Sequence, residues 1–112
     1  MLEGLTIRIG DREEVLLPTL GAALDLNKRH GGLMNLLAAL ERYDLNAAVD
    51  VVLAGLNRPV DEREATTAQV FGAGLMTLTP DLVRFVIVLA NGGRAPSGDE
   101  AEAKEPPRPF GE

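Results

Sequence analysis

This chain of 112 residues has no cysteine, no tryptophan, one histidine (His30), one serine (Ser97), one tyrosine and three phenylalanines. Without cysteine there are no disulfides and no thiolate chemistry, which fits a reducing compartment. Few aromatics mean that a core must be assembled from Leu, Val, Ile and Ala. With one histidine and no cysteine, the usual Cys/His zinc sites and a Cys–His nucleophile pair are excluded. The one serine lies near the C-terminal end, so a Ser–His pair does not fit the body of the chain. No catalytic residue, cofactor or metal site is assigned, and the expected function is non-enzymatic.

Basic residues are also in short supply. The chain carries 11 Lys and Arg against 17 Asp and Glu, a net charge of −6. No basic stripe exists to displace counterions from a polyphosphate or to meet an anionic lipid surface, so neither nucleic acid nor membrane is an expected partner. The longest apolar run, Phe85 to Ala90, is far too short to span a bilayer. The opening segment MLEGLTIRIG has neither a basic n-region nor a continuous apolar h-region, and a cytoplasmic location is expected.

The residues that are present point to an α+β chain, mostly α, in one domain over 1–93. Leu5-Thr6-Ile7-Arg8-Ile9 alternates apolar and polar side chains, Gly10-Asp11 marks a turn, and Val15 and Leu17 resume the alternation. This predicts a β-hairpin over 5–17. A hairpin alone is marginal, so helices must cover its apolar face. Pro18 holds Leu17 extended, Thr19 can cap a helix over about 20–30, and Gly31 can stop it. Leu20, Ala23, Leu24 and Asn27 share one face of that helix. His30 sits at its C-terminal end, where a cationic side chain complements the helix dipole, and is read as structural.

Four more helices are expected, over about 33–43, 45–57, 62–77 and 80–91. Leu33, Leu36, Leu37 and Leu40 lie at helical spacing in the second. Asp44 caps the third, whose stripe is Leu45, Val49, Val52, Leu53 and Leu56. The fourth carries Ala65, Ala68, Phe71, Gly72, Leu75 and Met76, its glycines suggesting a close helix approach or a bend. Thr79-Pro80-Asp81 has the form of a helix start, and Asn91-Gly92-Gly93 of a stop. Phe85 to Leu89 is therefore assigned to helix despite its strand propensity. From Arg94 onward, three basic and five acidic residues among Ala, Pro, Gly and Ser predict a disordered acidic tail over 94–112.

Other motifs exclude more than they assign. Asp61, Glu62 and Glu64 lack the alternation and glycine turn of a hard-cation loop and read as a solvated acidic helix start. Glu13 and Glu14 read as solvent-facing charge. Gly72-x-Gly74 has no phosphate-loop lysine after it. Asp44-Leu45-Asn46 at the head of an apolar helix is similar to the attachment site of acyl carrier proteins. Leu45 stands where that chemistry requires a serine.

Taken in order, a strand pair entering Leu17-Pro18-Thr19-Leu20, a short helix ending at Arg29-His30-Gly31-Gly32-Leu33, then Ala54-Gly55-Leu56, Gly74-Leu75 and Pro80 before a final apolar helix form a pattern. Over residues 4–93 it resembles the tail assembly chaperones of gene transfer agents and related long-tailed prophages, a family also labelled as tail tube-related. The family pattern has Phe where Leu20 stands and an acid where Asn27 stands, so a role resting on that acid does not carry over. The resemblance implies a non-enzymatic protein that coats the helical tape-measure protein until tail tube subunits replace it, with self-association as an accompanying expectation. Phe71, Leu75 and Met76 are the candidate partner-binding residues, with ordinary core as the competing reading. A structural tail component is the alternative function, although tube subunits are normally β-rich. A small acidic regulatory protein is the second alternative.

Overall fold

A computed structural model describes residues 4–94 as a two-stranded antiparallel hairpin followed by five α-helices. The tail assignment over 94–112 falls, beyond Arg94, outside these residues. The strands are β1 (Leu5–Ile9) and β2 (Arg12–Leu16). Gly10 and Asp11 both have positive φ, 57° and 63°, as a two-residue primed turn requires. That turn pairs Ile9 with Arg12, Ile7 with Glu14 and Leu5 with Leu16.

Directly paired residues lie on one face of the sheet, so the register decides which residues of β2 point inward. Ile7, Ile9 and Leu16 are buried, whereas Val15 and Leu17 are each about half exposed. The expected continuation of the apolar face through Val15 and Leu17 is therefore corrected: on β2 Leu16 is buried and Glu14 half-buried, while Arg12, on the same face beside the turn, is exposed. Glu14 accordingly leaves the solvent-facing group and approaches Arg58 Nη2 to 3.6 Å.

Helix α1 (Leu20–His30) follows an N-cap at Thr19, whose hydroxyl accepts from the Ala22 N–H at 3.0 Å, and ends at left-handed Gly31. Its buried residues are Ala22 and Leu26. Leu20 and Leu24 face outward, at 74% and 60% exposed. Of the expected face Leu20, Ala23, Leu24 and Asn27, only Ala23 packs against the core, so the buried side is rotated toward Ala22 and Leu26. Leu17 is held by its N–H donating to the Gly55 carbonyl at 2.9 Å, which sets the angle at which α1 leaves the hairpin.

Helices α2 (Leu33–Glu41) and α3 (Leu45–Leu56) follow. Asp44 caps α3 by accepting from the Ala47 N–H at 3.1 Å, and Asn57 ends it in the left-handed conformation. α3 is the central helix, buried over more than the expected stripe: Ala47, Ala48 and Val51 join Val49, Val52 and Leu53 in the core. It packs on α1, α2, α4, α5 and β2. Phe85 is the one aromatic side chain of the core cluster, which is otherwise Leu, Val, Ile and Ala.

A 3₁₀ turn (Val60–Glu62) leads into α4 (Arg63–Ala73), and α5 runs from Leu75 to Ala90. The boundaries expected at 62–77 and 80–91 are corrected by Gly74. Its φ of 94° suits glycine alone, and the chain bends there by 113° between Val60–Ala73 and Leu75–Ala90. Thr79-Pro80 therefore lies inside α5, where Pro80 lacks the N–H that would bond the Met76 carbonyl and its ring crowds that same carbonyl. Gly72, with nothing within 4 Å of an added Cβ, is not a close-approach point. Phe85 to Leu89 is helical, as expected, although the helix starts at Leu75 and not at the Thr79-Pro80-Asp81 signal. No single helix among the described residues is long and apolar enough to cross a membrane.

Candidate functional site

The three candidate partner-binding residues are separated by the Gly74 bend. Phe71, near the end of α4, is 73% exposed. Leu75, at the start of α5, is half-buried against the core cluster. Met76 is 77% exposed on the α5 side of the bend. Phe71 and Met76 are therefore surface residues, and only Leu75 follows the competing core reading.

The outward position of Phe71 follows from polar residues on the opposite side of α4. The buried stripe there is Thr66 and Val70, and Ala65, Ala68 and Gly72 lie outside with Phe71. Arg58 reaches across to donate through Nη1 to Thr66 Oγ1 and to Gln69 Oε1, both at 2.8 Å. Arg63 Nη1 donates to Asp50 Oδ1 at 2.6 Å. Polar side chains whose donors and acceptors are met on arrival can face inward, and they turn the apolar Ala65–Ala68–Phe71 side out.

Phe71 lines an open groove of about 670 Å³ between α4, the 3₁₀ turn and the first residue of α3. Its apolar surface is Leu45, Val60, Ala68 and Phe71, and Val60 is 72% exposed. Asp61 and Glu64 stand on the rim, exposed, and neither forms an ion pair with another described residue. Exposing a Phe and a Val forgoes about 1.5–3 kcal/mol each relative to full burial.

A second cluster lies behind the groove. Asp50, in the middle of α3, is buried, and its carboxylate meets His30 Nε2 at 2.9 Å and Arg63 Nη1 at 2.6 Å. A carboxylate only accepts, so the imidazole donates through Nε2. Arg63 opens α4, where a cation opposes the helix dipole, and Asp50 supplies the compensating charge. His30 thus does more than stand at a helix end: it ties α1 to α3. The signal available in the sequence was Asp50 itself, the one charged residue in the apolar run of α3.

Beside this cluster, α1, α3 and the 57–63 segment enclose a cleft of about 250 Å³ that includes Asp25, Arg29, Asp50 and Arg63. Its charges are already matched, Arg29 Nε to Asp25 at 3.0 Å and Arg63 to Asp50. Among the described residues no group of three or more His, Asp or Glu side chains is arranged to hold a metal ion. No family profile, curated protein or solved structure matches the chain.

Proposed function

We propose that this chain is a non-enzymatic tail assembly chaperone of a gene transfer agent or long-tailed phage. In this reading it holds the tape-measure protein in the assembling cell's cytoplasm before tail tube subunits take over. The observation that carries the binding role is Phe71, held out of the core in an open apolar groove with Val60 and Leu45. A helix laid in that groove would bury its apolar stripe against these side chains and stay soluble on its polar face. The resemblance over residues 4–93 supplies the identity of the partner.

The test mixes the protein with a purified tape-measure fragment and follows light scattering. The proposal expects aggregation to slow at equimolar protein and to return with the Phe71→Ser variant. A fragment that precipitates equally fast with and without the protein overturns it. Recovery of the chain from purified particles would identify a structural tail component instead.

A further inference from the structure

We propose that the groove around Phe71 selects a basic amphipathic helix, whose Lys or Arg side chains flank the apolar stripe and meet Asp61 and Glu64. The inference rests on the groove being the partner site and adds the charge of what enters it. Two carboxylates line the groove, Asp61 in the 3₁₀ turn and Glu64 in the first turn of α4, and neither is neutralised by another described residue. Arg63 also lines the groove, but its guanidinium is held on Asp50 at 2.6 Å, and Arg58 is spent on Thr66, Gln69, Glu14 and Glu62. The groove thus joins an apolar surface to two acids that no described residue pairs, Arg63 in its lining being held by Asp50, in a chain of net charge −6. An acidic helix would bring like charges onto that edge, whereas a basic one is attracted over a Debye length and held at the rim.

The experiment uses the full chain and two synthetic amphipathic helical peptides. They share one Leu/Met stripe and differ only in carrying Lys or Glu beside it. Binding is read by fluorescence anisotropy at low and at high salt. At low salt the Lys peptide is expected to bind at least tenfold tighter than the Glu peptide, and most of that ratio is lost at high salt. The Asp61→Asn/Glu64→Gln double variant should reduce the ratio to about threefold or less. Asp11→Asn/Glu41→Gln, which removes the same charge from exposed positions outside the groove, should leave it near tenfold.

If both double variants lower the ratio equally, the selection belongs to overall charge and the inference falls. If Phe71→Ser weakens both peptides tenfold while their ratio is near one, the groove stands and only the charge inference fails. If Phe71→Ser leaves both affinities unchanged, the groove reading fails with it. The chain's own α1 exposes Leu20, Leu24 and Lys28. Concentration-dependent assembly in sedimentation velocity that Phe71→Ser or Leu24→Glu abolishes would make a second copy the occupant and overturn the proposal.

Discussion

His30 Nε2, in the last turn of α1, lies 2.9 Å from Asp50 Oδ2 in the middle of α3, while the other oxygen of the same carboxylate binds Arg63 at the start of α4. One buried carboxylate thereby ties three helices. Replacing Asp50 with Ala leaves the Arg63 guanidinium without its counter-charge and the His30 N–H without its acceptor. Removing one partner from a fully buried pair costs about 3–5 kcal/mol; with Arg63 one-third exposed, we expect about 2–3 kcal/mol. Urea unfolding of Asp50→Ala measures the loss. A double-mutant cycle with His30→Ala should show coupling between the two sites.

Gly55 and Gly72 are both helical glycines, and they should respond to alanine in opposite directions. At Gly55 an added Cβ would sit 2.8 Å from Leu16 Cδ2 and 3.0 Å from Leu16 Cβ, where β2 docks on α3. Overpacking of about 1–3 kcal/mol exceeds the helix propensity gained, so Gly55→Ala should lower the melting temperature. At Gly72 the space is open, and Gly72→Ala should stabilise by about 0.5–1 kcal/mol. The same sign for both would contradict this account of hairpin docking.

Thr79 is buried inside α5, and its hydroxyl has no hydrogen-bond partner among the described residues. An unpaired buried hydroxyl costs about 1–3 kcal/mol relative to an apolar group of the same shape. Thr79→Val keeps the shape and removes the hydroxyl. It should raise stability by about 1 kcal/mol in thermal unfolding.

Arg58 joins the hairpin, the 3₁₀ turn and α4 through Glu14, Glu62, Thr66 and Gln69. A lysine carries the charge but not the planar fork, and it cannot serve the Thr66 and Gln69 acceptors together with both carboxylates. Arg58→Lys should destabilise by about 1–2 kcal/mol. Hydrogen exchange should rise first in α4, whose orientation depends on those bonds.

Phe71→Ser is the complementary case. The side chain is 73% exposed, so its removal should change folding stability by no more than about 0.5 kcal/mol. A stable variant that loses partner binding separates contact from fold. A large loss of stability would instead assign Phe71 to the core.

The elements of this protein were legible because their ends are written in local chemistry. Thr19 and Asp44 accept from backbone N–H groups three residues on, Gly31 and Asn57 take left-handed conformations, and Gly10-Asp11 makes the primed turn. Each depends on neighbours along the chain. Thr79-Pro80-Asp81 misled for the same reason. It satisfies every local rule for a helix start, but the only break in this stretch is set by Gly74 five residues earlier.

The faces were a different matter. Apolar periodicity put Val15 on the core side of the hairpin and left Phe71 between a partner-binding and a core reading. The first assignment reversed and the second was decided, for the surface, once partners far along the chain were in place. Arg58 and Asp50 made Arg63, Thr66 and Gln69 able to face inward, and a two-residue turn put Glu14 opposite Ile7. The hairpin, the number of helices and the apolar character of α3 follow from the order of residues, because propensity, capping and turn chemistry act within a few positions. Tertiary structure decided which side of each element is buried, and therefore which residues form a surface for a partner. Thr66 and Asp50 enter the core where distant groups meet their hydrogen bonds, and that pairing is settled only when the elements pack; Thr79 is the buried exception.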